Sequence, residues 1–264
     1  MGCCESSPAE DTGPATQTAP SGEKESTDQV KPPLRMIVIM FGPPGSGKGT
    51  RAPYISEAYS IPQLSTGDLL RAAVHSESEL GRSVEGVMKS GGLVDDQIVV
   101  DLVKERIQCS DCNKGFILDG FPRTLEQARL LDAALYPEVV SAVIALDVRD
   151  EVLVERICGR WVHKESGRSY HVKFNPPKSL GDLSPTEDTM RDDVTGDPLT
   201  QRADDTEEAL RSRLAAYYSM TVPLLEHYQS IVVKMDSNEN KAAELIKQDV
   251  MQLLETEPLL KSKL

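Results

Sequence analysis

Apolar residues fall along the chain in two rhythms. In one they occupy consecutive positions: Met36–Phe41 closed by Gly42, Gly115–Asp119, Ala142–Asp147 and residues 231–236. Runs this short and this uniformly apolar suit strands covered on both faces. In the other they recur every three or four positions, over 98–107, Leu125–Leu135 and 152–157. The longest such stretch, 206–228, predicts one helix with Leu210, Leu214, Tyr217, Leu224 and Tyr228 as its buried face. Asp205 and Glu208 are spaced as a capping box at its start. Strand and helix patterns alternate, which predicts an α/β fold: a doubly wound parallel sheet flanked by helices, with ligands at the carboxyl ends of the strands. The first strand ends in glycine and three others end in Asp119, Asp147 and Asp236, so polar chemistry gathers at one edge of the sheet.

The first strand runs into Gly42-Pro43-Pro44-Gly45-Ser46-Gly47-Lys48-Gly49-Thr50, which contains the G-x-x-x-x-G-K phosphate loop (P-loop). Its glycines let successive backbone N–H groups turn towards an anion, and the helix that follows adds its positive end. Lys48 is placed to reach the β- and γ-phosphates. The general pattern has Ser or Thr directly after the lysine; here Gly49 intervenes and the hydroxyl is Thr50.

The 264 residues carry 29 Lys and Arg against 42 Asp and Glu, a net charge of −13. Length fits one or two domains. An acidic surface argues against a nucleic-acid groove, although a local basic pocket can still take a small anion. No apolar run approaches the roughly 20 residues of a spanning helix, the longest being Met36–Phe41 and 139–146. Cys109 and Cys112 form a lone CxxC in a polar connector. Without a second pair they read as reduced surface or half-buried thiols, not as a zinc site.

Residues 1–34 differ from the rest. Pro, Ser, Thr, Glu and Gly dominate, and the segment reads as a disordered tail ahead of a domain over 35–264. It begins Met1-Gly2-Cys3-Cys4-Glu5-Ser6, which fits the signal for myristoylation at Gly2, with Cys3 and Cys4 placed for palmitoylation. One acyl chain binds membranes weakly, and the tail is acidic, so the second anchor has to be another acyl chain. The expected location is the cytoplasm, with the chain held at the cytoplasmic face of a membrane.

Several motifs in one order then carry a family resemblance. The loop Gly42–Thr50, Ser65-Thr66-Gly67-Asp68, Asp119-Gly120-Phe121-Pro122-Arg123, Gly159-Arg160-Trp161-Val162-His163, the stretch 170–177 and Arg202-Ala203-Asp204-Asp205 resemble adenylate kinases over about residues 35–256. The resemblance implies the reaction MgATP + AMP ⇌ 2 ADP, a small helical AMP-binding segment over 65–94 and a β-rich lid over 161–199. It implies that Gly45, Ser46, Gly47, Lys48, Gly49 and Thr50 hold the donor phosphates, with Arg160, Ser169 and Tyr170 covering the ATP side. Thr66, Arg71, Gly92, Leu93, Val94, Gly120, Phe121, Pro122, Arg123 and Gln127 are implied on the AMP side. Lys48, Arg123, Arg160, Arg202 and Arg213 are the implied catalytic set, with Arg202 and Arg213 clamping the transferring group between the nucleotides. Mg²⁺ is implied on phosphate oxygens and water, with no direct protein ligand and with Asp119 orienting it through water. Asp204 and Asp205 are implied to hold the arginines and the lid. Phosphoryl transfer needs positioning and charge stabilisation more than a general base, and arginine supplies a fixed fork of permanent charge.

Arg156 and Arg160 are four apart, which reads as one helix face, and Arg123 and Gln127 have the same spacing at the mouth of the strand ending in Asp119. Val162-His163 and 169–172 flank a turn, so the lid reads as a hairpin. It has no cysteine, hence no structural zinc is expected, and His163, Ser166, Asp192 and Thr195 stand where a hydrogen-bonded polar cluster replaces it. The stretch 178–190 is long and has no functional account. Trp161 beside Arg160 resembles GTP-using relatives, whereas Thr66 points to ATP, so GTP:AMP transfer is the nearest alternative. A kinase for UMP and CMP is disfavoured by the long lid. A phosphate-loop GTPase switch is disfavoured by Gly49. A membrane-tethered nucleotide-binding scaffold without turnover is disfavoured by the full set of arginines. The expected partners are ATP and AMP or ADP, with no nucleic acid, and the chain is read as a monomer.

Overall fold

A computed structural model of the chain describes residues 35–76, 78–90 and 92–261. Gly2, Cys3, Cys4 and the remainder of the tail 1–34 lie outside the described residues.

The chain runs β1 (Met36–Phe41), α1 (Lys48–Tyr59), β2 (Gln63–Ser65), α2 (Thr66–His75), α3 (Glu79–Lys89), α4 (Asp96–Arg106), β3 (Gly115–Asp119), α5 (Leu125–Leu135), β4 (Ala142–Asp147), α6 (Asp150–Cys158), β5 (Arg160–Val162), β6 (Ser169–His171), α7 (Glu207–Ala216), α8 (Leu224–His227), β7 (Val232–Asp236), α9 (Ala243–Thr256) and α10 (Pro258–Lys261). Five strands form a parallel sheet in the order β2-β3-β1-β4-β7. β1 lies at its centre and is buried along its whole length. The two-residue period of a strand divides its apolar run between two cores. Ile37, Ile39 and Phe41 join Val99, Val103, Phe116, Leu131 and Leu224 on one face. Met36, Val38 and Met40 join Ala52, Ile55, Val250 and Leu254 on the other. The sheet is therefore the doubly wound, helix-covered one that the alternation predicts. Strand order reverses at β1, which opens a crevice at its carboxyl end.

β5 and β6 form a separate antiparallel pair, in register Arg160↔His171, Trp161↔Tyr170 and Val162↔Ser169. Isolated bridges extend it at Val162↔Thr200, His171↔Asn175 and Arg191↔Pro198. Trp161, Tyr170, Leu180, Met190 and Leu199 give this lid a core of its own. Leu180 and Met190 come from the long stretch 178–190, so part of that insertion closes the lid core.

Four expectations need correction. The hydropathy pattern does not predict β2, because three residues of which only Leu64 is buried leave little trace in it. The single helix over 206–228 is broken. α7 ends at Ala216, a wide turn spans Tyr217–Thr221, and α8 starts after Pro223, whose ring cannot continue a regular helix. Leu210, Leu224 and Tyr228 are buried as expected, but Leu214 and Tyr217 are only half-buried. The cap of α7 is Thr206, whose side chain accepts from Ala209 N–H, not Asp205. Cys112 is no surface thiol: it is fully buried in the sheet core, and burial pushes its thiol up to about 11. Among the described residues, no helix is long and apolar enough to cross a membrane.

Candidate active site

The loop between β1 and α1 wraps its backbone because glycine permits it. Gly45 and Gly47 have φ of +81° and +88°, and a Cβ at Gly47 would come 2.5 Å from Arg51 Nη1. Ser46 is buried, and its carbonyl accepts from Ser237 Oγ at 2.6 Å, which ties the loop to the end of β7. Gly49 and Thr50 are exposed to the cleft. Lys48 Nζ donates to the carbonyls of Gly42 (2.8 Å) and Pro43 (3.0 Å). Desolvation in the cleft brings its pKa down to about 8; Asp119 opposes that, and Arg123, Arg213 and Arg160 add to it.

Across the cleft, α2 and α3 fold over the carboxyl ends of β2 and β3. Ser65 caps α2 by accepting from Asp68 N–H at 3.3 Å. Thr66, Arg71, Gly92, Leu93, Val94, Gly120, Arg123 and Gln127 line one pocket there, together with Asp204 and Arg213. Thr66 Oγ1 donates to Gly120 O at 3.0 Å, and Arg123 Nε donates to the same carbonyl at 2.7 Å. Gln127 Oε1 accepts from Arg123 N–H at 2.7 Å, and its Nε2 donates to Asp96 Oδ1 at 2.7 Å. The amide has a second N–H beyond the one given to Asp96. Phe121 belongs to the sheet core and Pro122 is buried, so their contribution is the shape of the turn that carries Gly120 and Arg123.

Between the two sides arginines converge from separate elements, Arg71, Arg160, Arg202 and Arg213 each on a carboxylate. Arg160 pairs bidentately with Asp205, Nε to Oδ2 at 2.8 Å. Arg213 Nη1 donates to Asp204 Oδ2 at 2.8 Å. Arg202 Nη2 donates to Asp68 Oδ1 at 2.9 Å, and Arg71 pairs with that same oxygen. Burial and neighbouring cations pull Arg123 and Arg202 down to about 10, against Asp119 and Asp204 at the first and Asp68 and Asp205 at the second. Burial raises the Asp68 carboxyl and Arg71 and Arg202 outweigh it, so the net shift is down. Crowded guanidiniums in a desolvated cleft repel one another, and a polyanion between them relieves that repulsion. Asp119 lies at the carboxyl end of β3, where its charge acts on Lys48 and Arg123. One oxygen accepts from Gln63 Nε2 at 2.9 Å, and the other is available to a water of a hydrated cation.

In the lid, Ser169 is exposed at the edge of the strand pair. Tyr170 lines the cleft. Its hydroxyl donates to Asp192 Oδ1 at 3.0 Å and accepts from Asp193 N–H at 2.9 Å, so it is spent inside the lid. His163, Ser166, Asp192 and Thr195 do come together. His163 Nδ1 meets Ser166 Oγ at 2.7 Å, and Thr195 Oγ1 donates to Asp192 Oδ2 at 3.1 Å and lies 3.4 Å from His163 Nε2. His163, Glu165 and Asp197 are close enough to share a cation, but both ring nitrogens of His163 already have side-chain partners.

Residues without an assigned role also enter the site. Asp68 ends the motif Ser65-Thr66-Gly67-Asp68, and its link to Arg202 spans 134 positions of sequence, which no local pattern reports. Arg156 and Arg160 do not share a helix face, because α6 ends at Cys158. Arg156 turns instead to the loop after β7, donating to Asn240 Oδ1 (2.8 Å) and Glu239 O (3.0 Å). Arg123 sits just before α5, whose N-cap is Thr124, at the mouth of β3, and meets Gln127 through its backbone N–H. The family model described as adenylate kinase matches residues 40–233, a span that holds every arginine of this cluster.

Proposed function

The chain belongs to the adenylate kinase family, and from that premise we propose that it transfers the γ-phosphoryl group of MgATP to AMP, giving two ADP. The family supports nucleoside monophosphate phosphotransfer in general. ATP and AMP as the pair are this proposal. The observation that carries it is the convergence of Lys48, Arg71, Arg123, Arg160, Arg202 and Arg213 on one cleft between a phosphate loop and a second pocket lined by Thr66, Leu93, Val94 and Gln127. One nucleotide needs no such number of cations; two facing ones do.

Each group has a part in this scheme. The loop N–H groups of 45–50 and Lys48 hold the donor β- and γ-phosphates. Arg71 and Arg123 hold the acceptor phosphate, and Gly92, Leu93, Val94 and Gln127 hold its base. Arg160, Arg202 and Arg213 exchange their carboxylates for phosphate oxygens as charge shifts from donor to acceptor. The fork geometry of guanidinium fixes the two phosphates in line. Mg²⁺ accompanies the donor and neutralises charge on its phosphates. Asp119 fits an outer contact to its water. Closure of the lid and of α2–α3 excludes water, which would otherwise accept the phosphoryl group.

Thr66 lines the acceptor pocket with its hydroxyl held on Gly120. The tail begins with an acylation signal, and we propose that Gly2, Cys3 and Cys4 hold the enzyme at the cytoplasmic face of a membrane, as a monomer. A donor and acceptor panel tests the reaction: ATP or GTP against AMP, CMP, UMP and GMP. ATP with AMP is expected to be the best pair. Preference for another monophosphate contradicts the acceptor assignment, and absence of transfer from any pair leaves only a nucleotide binder.

A further inference from the structure

Arg51 follows the phosphate loop by one residue, in the first turn of α1. Its side chain is almost wholly buried, at 3% relative exposure, yet it lines the cleft. Its Nε is buried with no hydrogen-bond partner, and Nη1 has only a long contact, 3.5 Å, to Gly47 O. Among the described residues no carboxylate lies within ion-pair distance of it. Next to it stands Arg156, equally without an ion pair, whose donors go to Ser237, Glu239 and Asn240 in the loop after β7. Burial lowers the affinity of Arg51 for its proton and Arg156 adds to that, against Asp249 and Asp236. A buried guanidinium with unmet donors is costly, and a site that keeps one has a use for it.

The surroundings say which ligand completes it. Arg51 touches the phosphate loop only through Gly47 O, and its charged neighbours are Arg156, Asp236 and Asp249, whereas those of Lys48 are Asp119, Arg123, Arg160 and Arg213. The end that holds Arg51 and Arg156 is lined also by Asn240, Ala243 and Ile246. Apolar walls with a few polar groups suit a flat heterocycle rather than a phosphate. Two cations beside it suit a heterocycle rich in acceptors. A 6-oxopurine presents two adjacent acceptors, O6 and N7, to a guanidinium fork; adenine presents N7 beside an amino donor.

We propose that Arg51 determines donor specificity by reading the base edge, and that it makes 6-oxopurine triphosphates (GTP and ITP) competent donors beside ATP. This rests on the donor side of the reaction proposed above. The fork satisfies both O6 and N7 of such a base. The adenine amino group has the Glu239 carbonyl as an acceptor within the same loop, so ATP is retained.

The test compares the full-length protein with Arg51→Gln. Binding of ATP, GTP and ITP is measured by calorimetry, and kcat/KM for each donor is measured at saturating AMP. Gln keeps a polar side chain of similar reach, and melting temperatures check that both proteins are folded. The GTP-to-ATP and ITP-to-ATP ratios are expected to fall tenfold or more in the variant, in binding and in kcat/KM alike. Equal weakening of all three donors places Arg51 on a phosphate and overturns the inference, as does an unchanged ratio. The binding ratio stands apart from catalysis: a fall in it without any ADP formation upholds Arg51 as a base reader and rejects the transfer reaction.

Discussion

Lys48 donates to two backbone carbonyls and lies among three arginines, and burial brings its pKa down to about 8. Donor phosphates need the ammonium form. The kcat/KM for the donor is therefore expected to fall about tenfold per unit as pH rises above about 8. A profile that is flat from pH 8 to 9 contradicts the placement of Lys48. Stability moves the opposite way. The unfolded lysine titrates near about 10.4, so between the two values the unfolded chain binds more protons, and the contribution of this group to stability rises with pH. The stability difference between wild type and Lys48→Met, followed by urea unfolding from pH 7 to 10, reads that sign. Lys48→Ala and Arg123→Ala are each expected to lower turnover by about 10³-fold or more with little change in melting temperature. A variant that keeps a tenth of the wild-type rate contradicts its assigned role. The phosphate loop was legible residue by residue because its chemistry is contiguous in sequence. The carboxylate partner Asp68 was not, since Arg202 reaches it from 134 positions away.

The lid is an element with its own stabilising centre. Asp192 has no exposed side-chain surface and accepts from Arg168 Nε (2.8 Å) and Nη2 (2.6 Å), the Tyr170 hydroxyl, Thr195 Oγ1 and the N–H groups of Val194 and Thr195. The hydrogen bonds from Arg168 hold its carboxyl well below the usual range, against its burial. This contribution is thus full above the unfolded value and lost only as pH falls through the lower folded one. Asp192→Asn leaves several donors unmet at roughly 1–3 kcal/mol each. Amide exchange over 160–200 is expected to quicken tenfold or more, with the central sheet unchanged. Equal protection in both proteins contradicts this view of the lid. Four members of the cluster, His163, Ser166, Asp192 and Thr195, could be named from the family resemblance. Arg168 and Tyr170 were hidden, because a strand edge and a turn give no periodicity to read. The broken helix after Ala216 was signalled by Pro223, but its apolar spacing outweighed that one residue.

At the scale of the whole molecule, the parallel sheet followed from the alternation of patterns, and its order brings β1 and β3 side by side, so that the loop after one and Asp119 at the end of the other share one cleft. β2 escaped notice because a three-residue strand is defined by its neighbour β3 and not by its own sequence. The proposed anchor is separable from catalysis: Gly2→Ala is expected to move the protein from membranes to the soluble fraction in its native host and to leave its activity in vitro unchanged. Retention on membranes contradicts acylation at Gly2. The central claim is that a phosphoryl group passes between two nucleotides in a cleft closed to water. Its most direct test is phosphorus NMR of the purified chain with MgATP and AMP. The account predicts that ATP and AMP disappear together and two ADP appear for each pair, with no inorganic phosphate. Inorganic phosphate as the main product, or no ADP at all, contradicts it.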